Sequence, residues 1–104
     1  MKQERRINRY VPQVPDLEKA LEIYYAKIEF LTKDIRGIFG NISKSKVYDL
    51  KVLARQEMRA KGKDSFVASA VNGVCAFAAW GLDPAEMERR INKIRKLKKA
   101  DTNT

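Results

Sequence analysis

The sequence predicts an all-α domain of four to five helices, with one short extended segment near residues 65–71. Three observations carry this. Apolar residues recur three and four positions apart in several separate stretches, the spacing of one helix face. Capping and breaking residues stand between those stretches: Asp16, Gly40-Asn41, Ser43, Gly62 and Gly81-Leu82-Asp83-Pro84. With 104 residues, 44% of them hydrophobic, the chain has the size of one domain with a modest core.

Residues 1–15 read as a basic flexible arm. They carry Lys2, Arg5, Arg6 and Arg9, and Pro12 and Pro15 oppose a continuous helix. Such an arm either reaches nucleic-acid phosphates or a minor groove, or only solubilises. A single domain is expected over 16–99. Asp16 is placed to cap its first helix, where Leu17, Ala20, Leu21, Tyr24, Tyr25 and Ile28 follow at helical spacing to about Glu29. Aromatic residues at this spacing are expected in a core before a base-stacking surface. Asp16, Glu18 and Glu22 make this helix the least basic surface, and it should point away from a polyanion.

The stretch Leu31–Arg59 organises the rest. Thr32 is read as an N-cap, with Asp34 in the first turn where negative charge suits the helix dipole. Ile35, Ile38 and Phe39 make one apolar stripe, and Gly40-Asn41 ends the helix. Ile42 should plug the angle between two helices. Ser43 caps the next helix, which runs to about Lys61 and stops at Gly62. There Val47, Leu50, Ala54 and Met58 should face the core. The other side presents Ser45, Tyr48, Asp49, Val52 and Gln56, flanked by Lys44, Lys46, Lys51, Arg55 and Arg59. A helix of this kind, presented after a tight turn, has the size and chemistry to enter a major groove.

After the break at Gly62-Lys63-Asp64, the segment Ser65–Val71 suits either an extended lead-in, or wing beside the DNA, or a helix; the lead-in is the expectation taken here. A helix capped by Asn72 should run Gly73–Trp80 and bury Val74, Phe77, Ala78 and Trp80, with Trp80 a packing anchor. Gly81 ends it. Asp83 caps the last helix, with Pro84 at the first helical position and Glu86 completing an acidic capping box. That helix should run to about Lys99, with Met87, Ile91, Ile94 and Lys98 on one stripe and Leu97 adjacent. Arg89, Arg90, Lys93, Arg95, Lys96 and Lys99 cover its other faces. It reads as a solvated terminal helix, a second phosphate-contacting surface or a dimerisation helix, too short for an independent coiled coil. Residues 100–104 are expected to fray.

The segment Leu31–Arg59 resembles the helix-turn-helix of bacterial and phage DNA-binding proteins. The matching residues are Ile35, Phe39, Gly40, Ser43, Ser45, Val47, Tyr48 and Leu50. The turn Gly40-Asn41-Ile42-Ser43 is one residue longer than the commonest form, so the interhelical angle stays open. The resemblance covers about a quarter of the chain and implies an embedded helix-turn-helix that binds duplex DNA. Phosphate contacts would come from Lys44, Lys46, Lys51, Arg55 and Arg59, with Ser43 at the helix start. Base-edge contacts would come from Ser45, Tyr48, Asp49 and Gln56. Binding as a homodimer to two half-sites suits this geometry. By resemblance, the role is a phage or mobile-element regulator, an excisionase-like recombination factor or a small terminase subunit.

The charge agrees with that partner. A formal net charge of +9 favours a polyanion, nucleic acid ahead of an anionic membrane. Cys75 is the only cysteine, so no intrachain disulfide forms, and a reducing, cytoplasmic setting is expected. The start, MKQERRINRY, has no apolar signal-peptide core, and the longest nearly apolar run, Val74–Leu82, is far short of a membrane span. There is no histidine, no base for the thiol, and no Walker ending after Gly37 and Gly40. No enzyme, cofactor, metal site or small-molecule substrate is therefore expected. Two rival readings remain: a protein-interaction module kept soluble by its cations, and an RNA-binding protein using Tyr24, Tyr25 and Trp80.

Overall fold

The structure, a computed structural model, describes residues 10–102 and the side chains of residues 10–99. Its element order is α1 (Leu17–Ala26), β1 (Glu29–Phe30), α2 (Thr32–Phe39), α3 (Lys44–Ala60), β2 (Val71–Asn72), α4 (Gly73–Ala79) and α5 (Pro84–Thr102). The all-α class is as expected, with one two-stranded pair added. No helix among the described residues is long and apolar enough to cross a membrane.

Asp16 caps α1, its carboxylate accepting from the Lys19 N–H at 3.1 Å. The helix leaves its course at Lys27, before the expected end at Glu29. The reason lies in Phe30, which is fully buried and enters the core from extended backbone. β1 pairs antiparallel with β2, Glu29 opposite Asn72 and Phe30 opposite Val71. Ile28, expected on the buried stripe, is consequently 74% exposed. The clip joins the two ends of the segment holding α2, α3 and the following loop, and the Gly73 N–H extends it by donating to the Ile28 carbonyl at 2.9 Å.

Thr32 is the first helical residue of α2 rather than its cap. Leu31 holds the cap position, and the Asp34 carboxylate accepts from its N–H at 2.9 Å. Ile35, Ile38 and Phe39 are buried, as their spacing predicts. At Gly40 the backbone takes φ +91°, a conformation open to glycine, and the chain turns. Arg36 fixes the turn by donating from Nε to the Ile42 carbonyl at 3.3 Å. Ser43 then caps α3, accepting from the Lys46 N–H at 3.0 Å.

α3 lies along α4 and β2, while α1 packs against α2 and α5. Val47, Leu50, Ala54 and Met58 are all buried in the shared core. Asn72 caps α4 through the Cys75 N–H at 3.0 Å. The buried residues of α4 are Gly73, Cys75, Ala76 and Phe77, followed by Trp80; Val74 and Ala78, expected inside, are exposed. The small side chains of Cys75 and Ala76 suit close packing against α3, which turns Val74 outward. Trp80 anchors the centre. Its indole N–H donates to the Leu50 carbonyl at 2.9 Å, and its ring meets Phe39 edge-on with centroids 5.1 Å apart.

Asp83 accepts from the Ala85 N–H at 3.0 Å at the start of α5. Glu86 does not return to the cap as expected; it pairs with Arg89 at 2.6 Å and Arg90 at 3.3 Å. Met87 and Ile91 are buried, whereas Ile94 and Leu97 are exposed. α5 continues to Thr102, past the end expected at Lys99. Within the expected arm, Val11 and Val14 pack against the core. Lys2, Arg5, Arg6 and Arg9 lie outside the described residues.

Candidate nucleic-acid interface

One side of α3 is left over once the core is built. Lys44, Tyr48, Lys51, Arg55 and Arg59 follow one another at steps of four, three, four and four, so they form a row along the helix. The row is about 22 Å long at 1.5 Å per residue. Lys44, Tyr48 and Arg59 are exposed, and Lys51 and Arg55 half-buried. Ser45, Val52 and Gln56 run beside it; Ser45 and Gln56 are exposed and Val52 half-buried.

Asp49 does not belong to this surface. It was expected on the groove face and is only 5% exposed. The covered arc of α3 is wider than the four-residue apolar stripe. Lys46 and Leu53, one turn to either side of Asp49, are themselves half-covered, Leu53 by the core. Lys46 donates to the Tyr10 carbonyl and stands 5.2 Å from the centre of the Tyr10 ring. Ser43 is exposed at the start of α3, which it caps. Turning Asp49 inward leaves no carboxylate in the row. Glu57 sits outside it and pairs with Lys61 at 2.7 Å.

Two cations of the row also hold the loop between α3 and β2. Lys51 Nζ donates to the Ser69 carbonyl at 2.9 Å, and Arg55 reaches the Ala68 carbonyl at 3.5 Å. Burial, and then the charge of Arg55, lower the Lys51 pKa from its ordinary value. An anion bound between the two would relieve that repulsion. Arg55, Arg59 and Lys63, with Met58, Asp64, Ser65 and Ala68, line a recess of about 510 Å³ between α3 and the loop.

The loop differs from its expected form. The alternation of Phe66, Ala68 and Ala70 suggested an extended run, but the chain turns here, with the Ala70 N–H donating to the Val67 carbonyl at 3.0 Å. Extended pairing begins only at Val71. The Glu29 carboxylate anchors the turn by accepting from the Phe66 N–H at 2.6 Å and the Val67 N–H at 3.2 Å. Sequence reasoning missed Glu29 because its partners are far along the chain. Lys63 and Phe66 were also missed; an apolar Phe66 beside Gly62-Lys63-Asp64-Ser65 is the one signal that could have flagged the loop.

The aromatic residues weighed for base stacking are placed differently. Trp80 is buried, and Tyr24 packs on Phe77 with ring centroids 4.4 Å apart. Tyr25 is exposed and donates from its hydroxyl to Glu88 at 3.2 Å. Comparisons of the chain with protein-family models, with curated proteins and with solved structures found no match.

Proposed function

We propose that the protein binds duplex DNA in a sequence-specific way through the α2–turn–α3 unit, with α3 entering a major groove. The row Lys44–Tyr48–Lys51–Arg55–Arg59 carries this reading. It is cationic, free of carboxylates and on the side of α3 that the core does not use. Lys44, Lys51, Arg55 and Arg59 hold phosphates, with Lys46 at the edge. Ser45, Tyr48 and Gln56 face base edges, where an amide can bond adenine bidentately. The role that fits a small chain of this kind is a transcriptional regulator or a recombination or packaging accessory factor of phage or mobile-element type, acting as a homodimer on two half-sites.

The test is titration of a random-sequence duplex pool at several salt concentrations, beside the double variant Lys44→Glu, Lys51→Glu, with circular dichroism checking its fold. Four phosphate contacts give a log–log salt slope of about −3.6, or roughly a hundredfold weaker binding between 50 and 200 mM salt. The variant should lose at least half of that slope. Equal binding by both proteins would remove α3 from the interface. The bound pool, sequenced, gives the site.

One observation favours the rival interaction module. Ile94 and Leu97 of α5, with Leu17 of α1, line an open cleft edged by Arg89, Arg90 and Lys93. If no duplex binds at any salt, a protein partner at this cleft becomes the reading to pursue. The burial of Trp80 and the packing of Tyr24 weigh against an aromatic surface for single-stranded RNA.

A further inference from the structure

Phe66 is 91% exposed, the most exposed large apolar side chain among the described residues. Single exposed apolar side chains are common on protein surfaces, but this one stands on a loop whose backbone is held at several points. The Glu29 carboxylate takes the Phe66 and Val67 N–H groups, Lys51 and Arg55 take the carbonyls of Ser69 and Ala68, and Ser65 Oγ donates to the Ala70 carbonyl at 2.8 Å. The β1–β2 pair fixes both the origin of Glu29 and the exit of the loop. The backbone under Phe66 is therefore fixed while its ring stands in solvent, and the core cluster is built without it.

Its setting points to a partner. The same Lys51 and Arg55 that hold the loop belong to the α3 row, so the loop borders the proposed DNA surface directly. The recess between them is lined by Arg55, Arg59 and Lys63 against the one carboxylate of Asp64, a balance suited to a phosphate. From this continuity we infer that Phe66 is an apolar wedge that presses against a base step beside the groove occupied by α3 and partly unstacks it. Apolar side chains used in this way pass unstacking energy into extra wrapped surface and kink the duplex. The wedge is sequence-selective indirectly, because flexible pyrimidine–purine steps unstack most readily. This inference rests on the DNA-binding reading and adds a second contact to it.

The experiment uses the selected duplex with 2-aminopurine placed in turn at each position across and just outside the site. Wild type, Phe66→Ala, Phe66→Leu and Glu29→Gln are compared for affinity, salt slope and 2-aminopurine fluorescence. Phe66→Ala should melt as wild type does, because the side chain packs on so little. Its affinity should fall about tenfold with the salt slope unchanged, since no phosphate contact is lost. The fluorescence rise that wild type causes at one position should disappear, and Phe66→Leu should restore part of it. Glu29→Gln, which loosens the loop and keeps the ring, should fall between. Wild-type affinity in Phe66→Ala, or no fluorescence rise with wild type at any position, overturns the wedge while leaving the α3 assignment standing. Absence of any salt-dependent duplex binding by wild type overturns both.

Discussion

Replacing Gly73 by alanine should destabilise the protein, against the usual sign for glycine in a helix. Gly73 opens α4 and is buried. Its φ lies outside the region that favours glycine, so the backbone alone would gain about 0.5–1 kcal/mol from alanine through the unfolded chain. Space decides otherwise. A Cβ there would stand 2.9 Å from Phe30 Cζ, 3.0 Å from Phe30 Cε1 and 3.3 Å from the Ile28 carbonyl oxygen. The Ile28 oxygen already accepts from the Gly73 N–H and cannot withdraw without opening the β1–β2 clip. The Phe30 ring is fully buried, 5.9 Å from the Phe77 ring and 6.1 Å from Trp80, so it too has nowhere to go. Overpacking of this kind costs about 1–3 kcal/mol. The net expectation is a loss of about 1–2 kcal/mol, or roughly 4–15 °C in melting temperature for a domain of this length. Urea unfolding followed by tryptophan fluorescence and far-UV circular dichroism measures it. Phe30→Leu in the Gly73→Ala background should recover part of the loss, because the shorter side chain vacates the space. A Gly73→Ala variant as stable as wild type, or more so, would refute the reasoning that Phe30 and the clip are wedged against α4.

Trp80→Phe removes the buried hydrogen bond to Leu50 and some ring volume, and should cost about 1–3 kcal/mol in urea unfolding. Lys51 has a pKa held below the ordinary lysine value by burial and then by the charge of Arg55, so its charge is lost as pH rises toward that range. The phosphate contact proposed for it should fade on the alkaline side, and Lys51→Arg should keep binding there where wild type loses it, as read by fluorescence anisotropy. Glu86 has its pKa lowered by its hydrogen bonds to Arg89 and then Arg90. Its help to the start of α5 is therefore complete above the ordinary carboxylate pKa and is lost as pH falls through the lowered one. Acid titration of Glu86→Gln by circular dichroism should lack that small component.

The helical core was legible because its signals are local. The Val47–Leu50–Ala54–Met58 stripe, the Ser43 and Asn72 caps and the Asp83-Pro84 helix start each depend on residues within a turn or two. The β1–β2 pair was not, because Glu29–Phe30 carries no alternation and its partner is set by contacts across forty residues. Most of the candidate row on α3 follows from the same periodicity. Asp49 did not, since a polar residue at the edge of a helical stripe is assigned to solvent unless a further segment is known to cover that flank. The loop anchors, Glu29 with Phe66 and Val67, lay outside any sequence period for the same reason as the strand pair.

The two signs of charge are used differently in this fold. Asp16, Glu29, Asp34 and Asp83 each accept from backbone N–H groups, at helix starts or in the loop. A carboxylate engaged with the backbone satisfies local donors but leaves distant cations without a counter-charge. Glu18, Glu22 and Glu88 gather instead in the cleft between α1 and α5, where Glu18 pairs with Arg95 at 3.0 Å. The α3 row receives none of them. A surplus of +9 in a chain of this size repels itself and lowers stability unless a polyanion is bound. Keeping the carboxylates out of the row concentrates the field where a groove-sized helix is presented. Added salt should consequently act in two directions at once: it screens the self-repulsion and raises the stability of the free protein, while it weakens the DNA binding proposed for α3. Opposite salt slopes for unfolding and for duplex affinity in the same buffer series would follow from this arrangement. A stability that falls as salt is added would mean that the surface is held together by its ion pairs, such as Glu18–Arg95 and Glu86–Arg89, and not strained by its cations.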